Sequence, residues 1–218
     1  MKLIGFSSGG VGGDTNVDRL VKTILRGSAT DTEFVKLTDL RFSGCKGCVQ
    51  LCAAPQVCTL DDDLAPYYRK IKEADAVVLG SPVYFSRINT TMLAFIERFF
   101  GYRHVTVPIR GKPFILVVSS GVRDPAPAVE HFQGVLRPFG VKILDCVTFG
   151  SEIPPCLSCG RHHECRIGGL YGVRGEAALT TTVRPDMFHR WEDCAETRQA
   201  VDSARERLRG ILATGEPA

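Results

Sequence analysis

The chain has 218 residues, of which 44% are hydrophobic and 23% charged, as is usual for a soluble globular protein. This length fits one α/β domain with room for an appendage. A net charge of +3, without a run of Lys and Arg, argues against a nucleic-acid partner. No apolar run approaches the roughly 18 residues of a membrane span, and the glycine-rich start lacks a signal-peptide pattern. We therefore expect a cytoplasmic protein with neither a membrane nor a nucleic acid as partner.

The first predicted strand covers Lys2–Ser7, and a loop rich in glycine and hydroxyl groups follows at 7–16. The next segment has helical periodicity, and Asp14, Thr15 and Asn16 are all good N-caps for it. Backbone N–H groups at a helix N-terminus favour an anion, and small residues let it approach. The loop is a candidate phosphate cradle. It does not match the P-loop motif, and a plain glycine-rich turn is the alternative.

A second strand is predicted at 33–37, and a loop with four of the nine cysteines follows it. The spacing is C-x2-C-x3-C-x5-C, formed by Cys45, Cys48, Cys52 and Cys58. Thiols stay reduced in the cytoplasm, and closely spaced cysteines on an irregular loop suit an iron–sulfur cluster. Zinc, or plain or redox-active thiols, are the alternatives. The acidic run at 61–63 is expected to cap the next helix and complement its dipole.

Three further strands are predicted at 74–80, Pro113–Ser120 and 141–149, separated by helical segments. Five strands that alternate with helices predict a doubly wound parallel sheet. The third strand ends in S-P-V-Y-F, whose aromatic residues suit the face of a flat ring or, alternatively, the core. The fourth strand ends in Ser119, Ser120 and Gly121. These loops, together with the loop at 7–16, predict one shared ligand site at the carboxyl edge of the sheet.

The region after residue 150 is predicted to be an irregular extension, 151–218, that ends in an amphipathic helix and packs on the domain formed by 1–150. The extension contains a second cysteine set, Cys156, Cys159 and Cys165. Three cysteines are one short of a complete ligand shell, which Cys146, Cys194, His162 or His163 could complete. A cluster, a zinc ion and thiols packed under a loop remain equal alternatives. Trp191, His104, His131 and His189 are assigned no function.

From Ser81 onward, G-S-P-V-Y-F and, after a spacer, A-F-I-E-R resemble the NAD(P)H-dependent FMN reductases of the flavodoxin-like superfamily. The cysteine loop, which continues into V-C-T-L-D-D-D-L, resembles their iron–sulfur flavoprotein branch. The resemblance implies a flavodoxin-like fold, non-covalent FMN and a 4Fe-4S cluster held by the four loop cysteines. The implied flavin contacts are a phosphate loop, a ring-binding segment and a third loop: Ser7, Ser8, Gly9, Gly13, Asp14, Thr15, Asn16; Pro82, Val83, Tyr84, Phe85; Ser119, Ser120, Gly121.

This chain departs from the family pattern in its first loop, where Gly and Val replace the usual basic S-G-S-P-R sequence. Backbone donors must therefore hold more of the phosphate. The cysteine spacing is also one residue longer in each of its last two gaps than in the commonest version.

These observations predict a redox protein in which flavin carries the chemistry, so no catalytic side chain is assigned. A cluster handles single electrons and a flavin collects two. We therefore expect electron transfer from a one-electron donor such as ferredoxin, through the cluster and FMN, to a small two-electron acceptor. The alternatives are an NAD(P)H-dependent FMN or quinone reductase without a cluster, and a redox sensor. The exposed cysteine loop also predicts a homo-oligomer.

Overall fold

The computed structural model describes residues 2–214. Six strands form one sheet: β1 Lys2–Ser7, β2 Asp31–Lys36, β3 Ala76–Tyr84, β4 Arg87–Ile88, β5 Pro113–Ser120 and β6 Lys142–Gly150. Eight α-helices accompany it: α1 Asn16–Arg26, α2 Val49–Ala53, α3 Ala65–Glu73, α4 Thr90–Glu97, α5 Ala126–Leu136, α6 Cys156–Cys159, α7 Gly169–Arg174 and α8 Ala195–Thr214. Within residues 2–214, no helix is both long and apolar enough to cross a membrane.

The long strands are all parallel and lie in the order β2-β1-β3-β5-β6. The chain moves outward from β1 to β2 and then returns to β3 on the other side of β1, so the strand order reverses between β1 and β3. A crevice forms outside the carboxyl ends of strands at such a reversal. The predicted flavodoxin-like, doubly wound sheet of five parallel strands is confirmed, with β4 as a short addition.

The sheet is covered on both faces, because its central strands β1, β3 and β5 are apolar and almost fully buried, and such strands need two helical layers. One layer contains α3, α4 and α5, whose Tyr68, Phe95 and Phe132 are fully buried. The other contains α1 and α8, which pack Leu20 and Leu208 against the opposite face. The helical periodicity predicted after the first loop and the amphipathic last helix correspond to α1 and α8, whose apolar faces are turned to the sheet.

The predicted end of the third strand was wrong. The strand continues to Tyr84 because Val83 and Tyr84 pair with β4 in a tight hairpin. The two turn residues, Phe85 and Ser86, have φ of +50° and +62°, as a two-residue hairpin turn requires. Segment 82–84 is therefore strand rather than loop.

The role predicted for the acidic run at 61–63 was only partly right. Asp62 Oδ1 accepts the N–H of Leu64 at 3.1 Å directly before α3, but Leu64 itself makes no side-chain capping hydrogen bond and the first turn contains no acidic residue. Asp62 also forms an ion pair with Arg98, and Asp63 accepts the backbone N–H of Arg41 at 2.7 Å. These carboxylates connect loops across the fold, which local sequence does not indicate.

The extension predicted to be loop-like contains α6, α7 and several 3₁₀ turns. It has a small apolar cluster of its own around Leu157, Leu170 and Ala178, separate from the two main cores. Helix α8 returns to the main domain, where Val201, Ala204 and Leu208 are buried. The division of the chain at residue 150 stays a prediction, and residues 1 and 215–218 lie outside the described part of the chain.

Candidate functional site

The loop between β1 and α1 is held at both ends by hydrogen bonds. The Ser8 N–H donates to the Gly80 carbonyl at 2.9 Å, which attaches the loop to β3. At the other end, Thr15 caps α1 in a capping box, its hydroxyl accepting the N–H of Asp18. A Cβ at Gly9 would lie 2.3 Å from the Thr15 hydroxyl oxygen, so only glycine fits there. The loop therefore has a defined shape before any ligand binds.

The peptide groups of this loop are oriented for an anion. Lys36 Nζ donates to the carbonyls of Gly12 at 3.3 Å and Gly13 at 3.0 Å, and Thr38 donates to the carbonyl of Gly9 at 2.8 Å. All peptide bonds here are trans, so each following N–H points away from its tied carbonyl. The N–H groups of residues 10, 13 and 14 therefore face away from Lys36 and Thr38. Positions 10, 12 and 13 also border open space, where an anion can approach.

Lys36 is the basic residue that sequence reasoning missed. It lies at the end of β2, its side chain is 7% exposed, and its Nζ is 3.0 Å from the fully buried Asp18 carboxylate. Burial raises the pKa of Asp18, but hydrogen bonds from Ser7, Thr15 and Lys36 outweigh it and hold the pKa below its ordinary value. Lys36 therefore supports the loop by donating hydrogen bonds to the carbonyl groups of Gly12 and Gly13.

Two of the predicted phosphate-loop side chains are engaged elsewhere. Asp14 forms an ion pair with Lys22 at 2.7 Å. The Asn16 amide donates to the His189 carbonyl at 3.2 Å and accepts the N–H of Trp191 at 3.2 Å. These two residues can offer only their backbone to a ligand at this loop.

The β3–β4 hairpin projects its aromatic residues into solvent at the same sheet edge. Phe85 is 97% exposed and Tyr84 is 54% exposed, so neither belongs to the core. A cleft of about 540 Å³ lies beside the turn, between Phe85 and Arg87 on one side and Pro127 and His131 on α5. Exposed aromatic rings on a constrained turn beside a cleft suit a flat ligand.

Asn89 joins the hairpin to the first loop and was not anticipated from sequence. Its amide donates to the Ser8 carbonyl at 2.9 Å, and its own N–H donates to the Ser81 hydroxyl at 3.0 Å. The same side chain caps α4 by accepting the N–H of Met92 at 3.0 Å. One buried side chain therefore sets the positions of two of the predicted ligand loops.

The third predicted loop follows β5. Ser119 and Ser120 are buried, and a Cβ at Gly121 would lie 2.7 Å from the Ile153 carbonyl. Ser151, at the end of β6, donates to the Ser120 carbonyl through both its N–H and its hydroxyl. The loops after β1, β3 and β5 thus lie on three adjacent strands at one edge.

The cysteine loop leaves the end of β2 at this edge. Burial raises the pKa of Cys52, and negative charge on Cys48, Cys58 and Cys45 raises it further. Cys52 Sγ is 3.1 Å from His104 Nε2, and Cys45 Sγ accepts the Gly47 N–H at 3.5 Å. Within residues 2–214, no three His, Cys, Asp or Glu side chains surround a common metal position.

Arg98 lies beneath the cysteine loop with its side chain fully buried. Its Nε donates to Cys58 Sγ at 3.1 Å, its Nη1 forms an ion pair with Asp62, and its guanidinium lies 5.1 Å from the Tyr68 ring centroid. The A-F-I-E-R motif therefore places a buried guanidinium, paired with Asp62, in contact with the sulfur of Cys58.

Basic side chains surround the loop on its outer side. Lys46 lies within it and is exposed. Arg103 and Arg110 are also exposed, and with His104 they line a cleft of about 490 Å³. Because His104 contacts Cys52, this basic surface adjoins the thiols directly.

The second cysteine set lies apart, in the extension. Cys156 and Cys159 are at the two ends of α6, and Cys165 follows a 3₁₀ turn that contains His162 and His163. Cys146 is in β6, where burial raises its pKa to about 12, and Cys194 packs beside the second core. Those two thiols pack against the two cores of the sheet and not against the extension's own cluster.

Comparison with known proteins gives consistent results. Residues 1–153 match the sequence profile described as NADPH-dependent FMN reductase. An iron-sulfur flavoprotein from Archaeoglobus fulgidus is 32% identical over 118 residues, which cover 54% of this chain and 53% of that protein. An iron-sulfur flavoprotein from Methanocaldococcus jannaschii is 36% identical over 101 residues, which cover 45% and 51%. The chain therefore spans about half the length of the curated relatives it matches.

A solved structure shows the same fold at low sequence identity. The flavoenzyme NAD(P)H:(acceptor) oxidoreductase FerB from Paracoccus denitrificans superposes with a TM-score of 0.56 at 16% identity. The superposition covers 96% of this chain and 98% of that one.

Proposed function

Because this chain belongs to the NADPH-dependent FMN reductase family, we propose that it is an FMN-dependent oxidoreductase whose cysteine loop holds an iron–sulfur cluster. Electrons would pass from a one-electron donor protein through the cluster and FMN to a small two-electron acceptor. The observation that carries the proposal is the hydrogen bond from Thr38 to the Gly9 carbonyl. This bond joins Thr38, which lies at the start of the segment that carries the four cysteines, to the phosphate-type loop at one edge of the sheet.

The residues at the strand ends fit FMN. The outward N–H groups after Gly9, Gly12 and Gly13 would hold the phosphate, with the positive end of α1 behind them. The hairpin residues 82–85 would line the ring, and 119–121 would form the third wall. When bound, FMN supplies hydride and one-electron chemistry, while the protein supplies position and electrostatics.

The donor set of the cysteine loop fits a 4Fe-4S cluster. Cys45, Cys48, Cys52 and Cys58 would be the ligands, since four thiols within fourteen residues of an irregular loop suit a cluster. The N–H of Gly47 and the guanidinium of Arg98 are already directed at sulfur, as donors around cluster thiolates are. These donors would offset the negative charge of the thiolates.

The basic surface beside the loop supports an acidic donor protein such as ferredoxin. Lys46, Arg103 and Arg110 would attract it by charge complementarity, in a salt-dependent way. The exposed Phe85 supports the further proposal that a second copy covers the hairpin in a homo-oligomer. We place the protein in the cytoplasm, where free thiols persist.

A second candidate function is an NAD(P)H-dependent FMN or quinone reductase that uses no cluster. The cleft beside Phe85 and His131 favours it, because a second flat ligand could enter there against the flavin ring.

Anaerobic purification with metal analysis tests the proposal. We expect one FMN and about four iron atoms per chain, on the ligand requirement of a 4Fe-4S cluster. Cys48→Ser should lose the iron and keep the flavin, while Cys194→Ser, outside both cysteine loops, should keep both. FMN without iron, together with rapid reduction by NAD(P)H in stopped-flow experiments, would establish the second candidate instead.

A further inference from the structure

The extension between β6 and α8 has only a small apolar core of its own. Its cluster has three buried hydrophobic residues, Leu157, Leu170 and Ala178, and only partly buried neighbours. A segment of this size usually needs a disulfide or a metal ion to hold it together. All its cysteines are free thiols, so a metal ion is the alternative to examine.

Two thiols of the extension converge on one backbone position. A Cβ at Gly168 would lie 2.6 Å from Cys156 Sγ and 3.2 Å from Cys165 Sγ. Because both distances are measured from the same Cβ position, the sulfurs of Cys156 and Cys165 are at most about 6 Å apart. Rotation of the two side chains can bring both sulfurs to one tetrahedral ion. The N–H of Leu170 also donates to Cys156 Sγ at 3.4 Å, as backbone donors do around metal-bound sulfurs.

Cys159 follows Cys156 by one helical turn, and a glycine ends α6 directly after it. Residues three apart lie on one face of a helix, so Cys159 shares the face of Cys156. Gly160 has φ of +75°, which reverses the chain toward His162 and Cys165. The sequence thus presents C-x2-C-x2-H-x2-C over one compact turn of chain.

His162 has the hydrogen bonding of a metal ligand. Its Nε2 lies 2.7 Å from the Thr181 carbonyl, which can only accept, so Nε2 carries the proton. In the neutral ring Nδ1 therefore has a free lone pair, and this atom is buried with no partner among residues 2–214. A metal-bound histidine typically donates its other N–H to a carbonyl in this way. His163 is exposed and has no such bond.

We propose that the extension binds one structural zinc ion, with a Cys₃His ligand set. The ligands are Cys156, Cys159, His162 Nδ1 and Cys165. Zinc suits this set because it accepts mixed sulfur and nitrogen ligands in closed tetrahedral sites, whereas cluster irons are held mainly by cysteines. Binding releases the three thiol protons to solvent and requires side-chain rotation, since the four groups do not yet surround one point. The site is independent of the flavin and the cluster.

Zinc analysis of single variants tests the site. The protein is produced with zinc in the medium and purified without chelators, and we expect about one zinc per chain, as in structural Cys₃His sites. Cys159→Ser and His162→Gln should lose it while retaining FMN, which shows that the main domain is folded. His163→Gln should keep the zinc. Cys48→Ser should keep the zinc and lose only the iron, so that a failure of the cluster proposal changes the iron content and not the zinc content.

Cobalt substitution provides a second readout on the same protein. With Co²⁺ in place of zinc, we expect the intense visible absorption of a tetrahedral thiolate site, lost in both Cys159→Ser and His162→Gln. The proposal is overturned by wild-type protein without zinc, by zinc that survives Cys159→Ser, or by the loss of iron instead of zinc in that variant. Equal zinc loss in His163→Gln would overturn the assignment of His162.

Discussion

Replacing Lys36 by Met tests how the proposed phosphate loop at 7–16 is built. Lys36 Nζ donates to two loop carbonyls and pairs with Asp18, and both side chains are almost inaccessible to solvent. Methionine fills a similar volume but leaves the Asp18 carboxylate without its cationic partner. Breaking one side of a buried ion pair costs about 3–5 kcal/mol in the free energy of unfolding. Lys70→Met is the matched control: its pair with Glu33 is about one third exposed, so about 0.2–1 kcal/mol is expected.

The same variant should weaken flavin binding in a phosphate-specific way. Without Lys36, the peptide groups of Gly12 and Gly13 can rotate. FMN binding must then order them again, and this loss of conformational entropy weakens the affinity. We expect the Kd for FMN to rise about tenfold, equivalent to about 1.4 kcal/mol. Riboflavin, which lacks the phosphate, should bind unchanged. Urea unfolding and fluorescence titration of the flavin-free protein measure the two effects. Unchanged FMN affinity, or an equal loss for riboflavin, would refute the reasoning.

Three further predictions concern the surroundings of the two loops. Arg98→Met should lower the free energy of unfolding by about 3–5 kcal/mol and reduce the iron retained per chain, because the donor to Cys58 is lost; normal iron content would contradict this role. Gly101→Ala places a methyl group 2.6 Å from the backbone nitrogen of Cys58 and should cost about 1–3 kcal/mol in urea unfolding. Gly134→Ala, in α5 with open space around it, is its control and should gain up to about 1 kcal/mol. The pKa of Asp18 is lowered from 3.8 in the folded protein, so its contribution to stability is present above the unfolded pKa of about 3.9 and is lost as pH falls through the lower folded value. Unfolding free energies that are level from pH 7 to 5 and fall below pH 4, with a smaller fall in Asp18→Asn, are the expected result.

Much of the fold was predictable because its signals are local. The apolar strands Lys2–Ser7 and Pro113–Ser120 were predicted with the observed bounds, since parallel strands buried on both faces appear as continuous apolar runs. The extension of β3 to Tyr84 was not predictable in this way. It depends on pairing with Arg87 across a turn of two non-glycine residues with positive φ, a conformation that sequence rarely signals.

The candidate site divides in the same way. Sequence alone determined the residue types: small and hydroxyl residues after the strands, and four closely spaced cysteines after the second strand. Only the tertiary structure decided which distant side chains support them, namely Lys36 under the first loop, Asn89 between two loops and Arg98 beneath Cys58. The reason is physical. Spacing along the chain determines which residues can share a turn, a helix face or a loop. A buried charge or amide, in contrast, needs a hydrogen-bond partner, and that partner can lie tens of residues away in the sequence.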